Sequence, residues 1–186
     1  MRVIAGKARR LLLDTPAGKH TRPTSDKIKE TLFNILQSDI ADCDFLDIFA
    51  GSGGIGIEAL SRGAKKAVFV ENNRAAIACI EKNLAHTGFS AQAEVIPMEA
   101  LRAMERLQLK GASFDVIFMD PPYDKGFDEQ ALVFLSHSQI AGEDTLLVLE
   151  EEIHRDLSFI EDLGFVVERV KEYKTNKHIF FRKAQK

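Results

Sequence analysis

Apolar residues along this chain fall into short continuous runs separated by stretches with a three-and-four spacing. Runs near 44–50, 67–71, 93–97, 114–119 and 145–150 read as buried strands, and the segments between them as helices. The helix opening near Asn73 turns Ile77, Ile80 and Leu84 inward and stops around Gly88. Lys65-Lys66, ahead of the next run, reads as loop. After Gly164 the pattern becomes alternation. Residues 165–170 and 178–181 predict a terminal antiparallel hairpin, with Thr175-Asn176 at its turn. Near the start, Val3-Ile4 and Leu11-Leu12-Leu13 flank Ala5-Gly6-Lys7, which predicts a basic hairpin over residues 1–15. Thr24 or Ser25 then caps a helix whose Ile28, Leu32, Ile35 and Leu36 share one face. Strands alternating with helices imply an α/β fold, a mostly parallel sheet ending in an antiparallel hairpin. A single domain is expected over 1–186, with residues 1–22 as a basic extension and 23–186 as the core.

Three of these runs end in chemistry. The first leads into Gly51-Ser52-Gly53-Gly54-Ile55-Gly56 and a helical stretch that closes at Gly63. Strand, glycine-rich turn and helix let a nucleotide-like cofactor approach bare backbone. The next run ends in Glu71, placed to accept hydrogen bonds from both ribose hydroxyls. Asp47 stands four residues before Gly51. There it would repel a pyrophosphate but suits a cationic amino-acid moiety. S-adenosylmethionine carries a sulfonium, an ammonium and an adenosine, so charge favours it over a nicotinamide dinucleotide. Downstream, the run 114–119 ends in Asp120-Pro121-Pro122-Tyr123. Asp120 and the Pro121 carbonyl can accept hydrogen bonds from an exocyclic amine. Pro121 and Pro122 stiffen the turn, and Tyr123 offers a stacking face.

Composition narrows the class. The 186 residues are 45% hydrophobic, enough for a substantial core. No run is long enough to span a membrane, and the N-terminus lacks the apolar core of a signal peptide. Cys43 and Cys79 are isolated and lack metal-ligand spacing, which fits a reducing cytoplasm and predicts no metal. The net charge of −3 hides a partition: residues 1–30 and 171–186 each carry +5, the stretch between them −13. Basic ends on an acidic body point to a polyanion held at the termini. His20, His86, His137, His154 and His178 show no evident acid–base partner, and Glu150-Glu151-Glu152 reads as a solvated charge run. Phe49 and Phe127 suit either the pocket or the core.

The set Asp47, Phe49, Gly51, Ser52 and Gly53, with Glu71 and the Asp120–Tyr123 tetrapeptide, resembles class I adenosylmethionine-dependent methyltransferases acting on exocyclic nitrogen. The segment from Arg22-Pro23-Thr24-Ser25 to Leu36 is similar to the N-terminal signature of the 16S rRNA (guanine-966-N2) methyltransferase family. The resemblance covers essentially the whole chain. It implies a Rossmann-like seven-stranded sheet and methyl transfer to guanine N2. It also implies a cofactor site that adds Ala50, Asn72, Glu99, Ala100 and Asp120 to the residues above. Arg9, Arg10, Arg22 and Thr24 are then expected at the RNA, within a small ribosomal subunit or its assembly intermediate, for a monomeric enzyme. Two positions depart from the family pattern: Ala8 replaces a second glycine, and Glu99 stands where Asp or Asn is usual at the adenine edge. The tetrapeptide would equally serve an adenine-N6 methyltransferase on DNA or RNA. Asp120 speaks against a protein-amide enzyme, which would carry Asn there. An RNA-binding module on a decayed fold would not need Asp47, Gly51, Gly53, Glu71 and Asp120 together.

Overall fold

The structure is a computed structural model that describes residues 1–16, 25–122 and 126–185. Its strands are β1 Asp44–Ile48, β2 Lys66–Glu71, β3 Ala93–Pro97, β4 Phe114–Met119, β5 Ala141–Glu152, β6 Phe165–Glu172 and β7 Asn176–Lys183. They form one sheet in the order β3-β2-β1-β4-β5-β7-β6. The first five are parallel, and β7 lies antiparallel between β5 and β6. This is the architecture expected from the sequence. The strand order reverses between β1 and β4, the place where such sheets open a crevice at their carboxyl ends.

Each face of the sheet carries its own apolar layer. On one side lie α1 Asp26–Ile35, α2 Gln37–Ile40, α3 Gly54–Ser61 and α4 Arg74–Thr87, packing Phe33, Ile57 and Ile80 against Phe45, Phe69 and Phe118. On the other lie α5 Ala100–Leu109, α6 Phe127–His137 and α7 Ser158–Asp162, packing Met104, Leu132 and Ile160 against Ile48, Ile117 and Leu149. Burying each such side chain stabilises by roughly 1.5–3 kcal/mol. Local signals set the helix ends. The Ser25 hydroxyl accepts from the Ile28 amide at 3.3 Å and caps α1, while Thr24 lies outside the described residues. Asn73 caps α4 by accepting from the Ala75 and Ala76 amides, and Gly88 ends it in the left-handed region.

Several boundaries differ from expectation, each for a local reason. Lys66 opens β2 instead of a loop, because its backbone continues the parallel register opposite Asp44 of β1; its ammonium also pairs with Glu94 at 3.0 Å across β2–β3. The strand β5 begins at Ala141, which still pairs with Phe114. Thr145 donates to the Phe114 carbonyl and accepts from the Gly142 amide, so the polar residues between them bulge out. The β6–β7 turn closes through the Tyr173 amide and the Asn176 carbonyl at 2.8 Å, which makes Asn176 the first residue of β7. On α1 the buried face is Leu32, Phe33, Leu36 and Lys29, while Ile28 turns toward the cleft.

The N-terminal hairpin is cut short. Its antiparallel pairing reduces to one bridge, Arg2 with Leu12, beside the Val3–Leu11 and Arg10–Val3 backbone bonds. The Ile4 and Ala5 amides donate instead to the Glu58 carboxylate of α3, at 2.8 and 3.0 Å. Glu58 also takes Lys29 Nζ at 3.2 Å and Arg62 Nε at 2.8 Å, and the Lys29 and Glu58 side chains are wholly buried. Burial lowers the Lys29 pKa, and the Glu58 charge opposes that shift. Val3, Ala8 and Leu13 join the apolar layer of α1 and α3. The Ala8 amide donates to the Ser61 hydroxyl at 3.0 Å. Glu58→Ala strips partners from a buried ammonium and two backbone amides. Denaturant unfolding should show a loss of about 3–5 kcal/mol; a loss under about 1 kcal/mol would mean that the cluster does not hold this segment.

Candidate active site

The strand ends bring four carboxylates to one face. Alternation along the strands places Asp47, Glu71, Asp120 and Glu150 on the side of Phe45, Phe69, Phe118 and Val148, the layer covered by α1, α3 and α4. They line one cleft of about 990 Å³, with Phe49 to Ser52, Asn72, Glu99, Ala100, Pro121 and Pro122 also on its walls. Gly53 is the N-cap of α3 in the left-handed region and does not itself line the cleft. Tyr123, Arg22 and Thr24 lie outside the described residues. Arg9 and Arg10 are exposed on the N-terminal segment, whose Met1, Thr15 and Pro16 border the cleft.

Backbone geometry explains the glycine-rich turn. Phe49 adopts φ 67° and Gly51 φ 56°, so the chain leaves β1 through two left-handed residues. Such strain is sustained where the surroundings over-determine it. Phe49 packs on Phe127 with ring centroids 6.1 Å apart. A Cβ on Gly51 would meet nothing within 4 Å, which leaves that backbone open to a ligand. At Gly56 the restriction is steric, because a Cβ there would lie 2.3 Å from the Phe69 ring. The carboxylates fix this turn. Asp47 accepts from the Gly56 amide at 2.9 Å. Glu71 accepts from Gly51 through one oxygen and from Asn72 and Asn73 through the other, at 2.8–2.9 Å.

This clustering has an electrostatic consequence. Burial pushes the Asp47 carboxyl up to about 7, with the Gly56 bond opposing and the Glu71 charge adding. Asp120 is raised well above the ordinary carboxylate value by burial, then by the charges of Glu150, Asp47 and Glu151. A ligand that brings positive charge relieves all of these. A pyrophosphate would aggravate them.

Two expectations are overturned at the other end of the cleft. Glu150 and Glu151 are 6% and 4% exposed, so only Glu152 of that run is solvated. The strand β5 extends to Glu152 and carries the run inside. His178 is also fully buried and has a partner. Its Nε2 lies 2.9 Å from Glu150 and its Nδ1 3.1 Å from the Tyr173 hydroxyl, while Asn176 donates to the other Glu150 oxygen at 2.6 Å. The cross-strand register that creates this contact joins residues 28 apart, which no local pattern announces. His86, His137 and His154 are exposed, and His20 lies outside the described residues. The C-terminal cations are less available than their number suggests. Arg182 pairs with Asp39 and Glu168, and Lys177 donates to the Arg155 carbonyl.

The family described as Conserved hypothetical protein 95 matches residues 1–182. This chain belongs to that family. Ribosomal RNA small subunit methyltransferase D of Escherichia coli (strain K12) is 38% identical over 157 residues, 84% of this chain and 77% of that protein. The protein of the same name from Haemophilus influenzae is 38% identical over 170 residues, 91% of this chain and 88% of its own. The solved structure of Escherichia coli yhhF superposes with a TM-score of 0.83 at 34% identity, covering 100% of this chain and 99% of that one.

Asp47→Asn keeps an acceptor for the Gly56 amide and removes the titrating group. With a folded pKa above the ordinary 3.8, Asp47 contributes stability that is fully present below that value and lost as pH rises through about 7. Cofactor-free wild type should therefore lose stability across that window more steeply than the variant. Parallel profiles in denaturant titrations would show that Asp47 does not titrate there.

Proposed function

We propose that this protein transfers a methyl group from S-adenosylmethionine to the exocyclic N2 of a guanine in small-subunit (16S) ribosomal RNA. The observation that carries this reading is the joining of a bare glycine turn, Glu71 and the Asp120-Pro121-Pro122 corner in one carboxylate-rich cleft. The residues fit the cofactor. Gly51 presents open backbone, Glu71 retains a free acceptor site on Oε2 for a ribose hydroxyl, and Asp47 favours a cationic amino-acid moiety. Phe49, Ala50, Ser52, Gly53 and Asn72 complete the turn and ribose side. Glu99 and Ala100, at the start of α5, border the adenine side. The family relatives named as small-subunit rRNA methyltransferases support both activity and substrate.

When bound, S-adenosylmethionine supplies a methyl group on a sulfonium sulfur whose leaving group is a neutral thioether. The chain itself positions and polarises. Asp120 and the Pro121 carbonyl accept the amine hydrogens and favour a pyramidal nitrogen, whose lone pair is otherwise delocalised into the ring. Asp120 also takes the proton that the amine loses. Tyr123 stacks on a base swung out of its helix. Arg9 and Arg10, exposed on the segment that borders the cleft, contact RNA, and the same role is assigned to Arg22 and Thr24. A folded small subunit or its assembly intermediate suits so small an enzyme, working as a monomer in the cytoplasm. Among the described residues no helix is long and apolar enough to cross a membrane.

The direct test is incubation with labelled S-adenosylmethionine and small subunits from cells lacking the protein, followed by nucleoside analysis. N2-methylguanosine at one site is expected; N6-methyladenosine would assign the same corner to adenine. Asp120→Ala should lower turnover by roughly 10²-fold or more while calorimetry finds cofactor affinity within a few-fold of wild type. Glu71→Ala should do the opposite, weakening cofactor binding by about tenfold or more. Normal turnover in the first variant, or unchanged affinity in the second, would remove that residue from its role.

A further inference from the structure

The cleft has two halves about Asp120. On one side β1, β2 and β3 lead into the glycine turn, Glu71 and Glu99. On the other, β5 and β7 bring Glu150 and Asn176. With the first half occupied by the cofactor, the target base enters against the second. Glu150 neighbours Asp120, because the β4–β5 register runs to Met119 with Leu149 and these two carboxylates are the next residue on each chain. Adjacent strands lie about 4.8 Å apart, so the two carboxylates project side by side from one face. The register with β7 then sets His178 opposite Glu150.

Glu150 is held as an acceptor. Its Oε1 takes Asn176 Nδ2 at 2.6 Å, and its Oε2 lies 2.9 Å from His178 Nε2. With Glu150 Oε2 as the acceptor, Nε2 carries the hydrogen, and in the neutral ring Nδ1 then accepts from the Tyr173 hydroxyl at 3.1 Å. Phe118 and Phe180 meet the imidazole edge-on, with centroids 6.0 and 6.4 Å away, and hold its plane. Two donors hold the two oxygens of this carboxylate in place. Two neighbouring acceptors are costly together unless a ligand offers two neighbouring donors. Guanine does so through N2–H and N1–H. Adenine offers an N6–H beside an N1 lone pair, which a carboxylate repels.

We propose that Glu150 is a specificity-determining residue that accepts the guanine N1–H while the amine sits at Asp120, and that Asn176, His178 and Tyr173 are the positioning residues that hold it. This inference rests on the guanine-N2 reading given above. Its test uses small subunits reconstituted from ribosomal RNA carrying either guanine or 2-aminopurine at the methylated position. 2-Aminopurine keeps the N2 amine but turns N1 from donor to acceptor. Wild-type enzyme should prefer guanine in kcat/KM by about 10²-fold or more. In Glu150→Gln, whose amide can donate as well as accept, that preference should fall at least tenfold. Asn176→Ala, which frees one Glu150 oxygen, should move it the same way by less. A wild type that methylates both bases equally would overturn the proposal whether or not any variant folds. So would a guanine preference undiminished in a folded Glu150→Gln. If wild type leaves guanine unmethylated in either context, the guanine-N2 reading itself is what fails.

Discussion

The Glu58 carboxylate is the constraint on which the rest of the molecule turns. It sits in the first helix after the glycine turn and gathers the Ile4 and Ala5 amides, Lys29 and Arg62. One side chain thereby fixes the N-terminal segment, α1 and α3 relative to each other. An apolar replacement would often be as stable as a buried ion cluster, but it would not choose a single placement. Here placement matters. Met1 is pressed so close to Gly54 that a Cβ there would lie 2.6 Å from its methyl carbon, and Met1 also borders the cleft. The same knot that seats α3 behind the cofactor turn carries the basic segment to the rim.

The carboxyl ends of the strands supply the second constraint. Parallel register lifts Asp47, Asp120 and Glu150 to one face of three neighbouring strands. Without a ligand, burial raises the Asp47 and Asp120 carboxyls, and neighbouring carboxylate charge adds to the shift. The site is thus selective before any shape is considered. A sulfonium and an ammonium are welcome; a pyrophosphate is not. Binding a cation there lets carboxyls release protons, which couples cofactor occupancy to the ionised Asp120 that an amine requires.

Much of this was legible in the chain. Continuous apolar runs identified the parallel strands because both faces of those strands are covered, and Asn73 and Gly88 marked α4 through caps whose chemistry is local. The cofactor turn and Asp120 were readable because strand, glycine and acid are contiguous. What escaped depended on partners distant in sequence. Glu150-Glu151-Glu152 looks like a solvated run until Asn176 and His178 are placed across β5–β7. Lys29 looks like the polar side of α1 until Glu58 arrives from another helix. The expected N-terminal hairpin forms but is shorter for the same reason, since the Ile4 and Ala5 amides found a carboxylate outside it. Each miss is a buried polar group whose neutraliser lies elsewhere in the chain, and hydropathy cannot distinguish such a group from a solvated one.

A cleft floored by carboxylates repels RNA unless phosphate and base are handled separately. The charge distribution separates them. Arg9 and Arg10 are exposed on the segment that borders the cleft, and the exposed Lys174 lines it from the β6–β7 turn. The acidic groups lie below, at the strand ends. A nucleic-acid backbone is attracted to the first set and repelled by the second over distances of a Debye length or less, about 8 Å in physiological salt. A neutral base extruded from its helix feels no such repulsion and brings N–H donors that the floor lacks. The negative floor therefore excludes phosphate, invites the donor edge of a flipped base, and attracts the cationic cofactor. One arrangement of carboxylates performs all three, which is why the overall net charge of −3 is compatible with an RNA substrate.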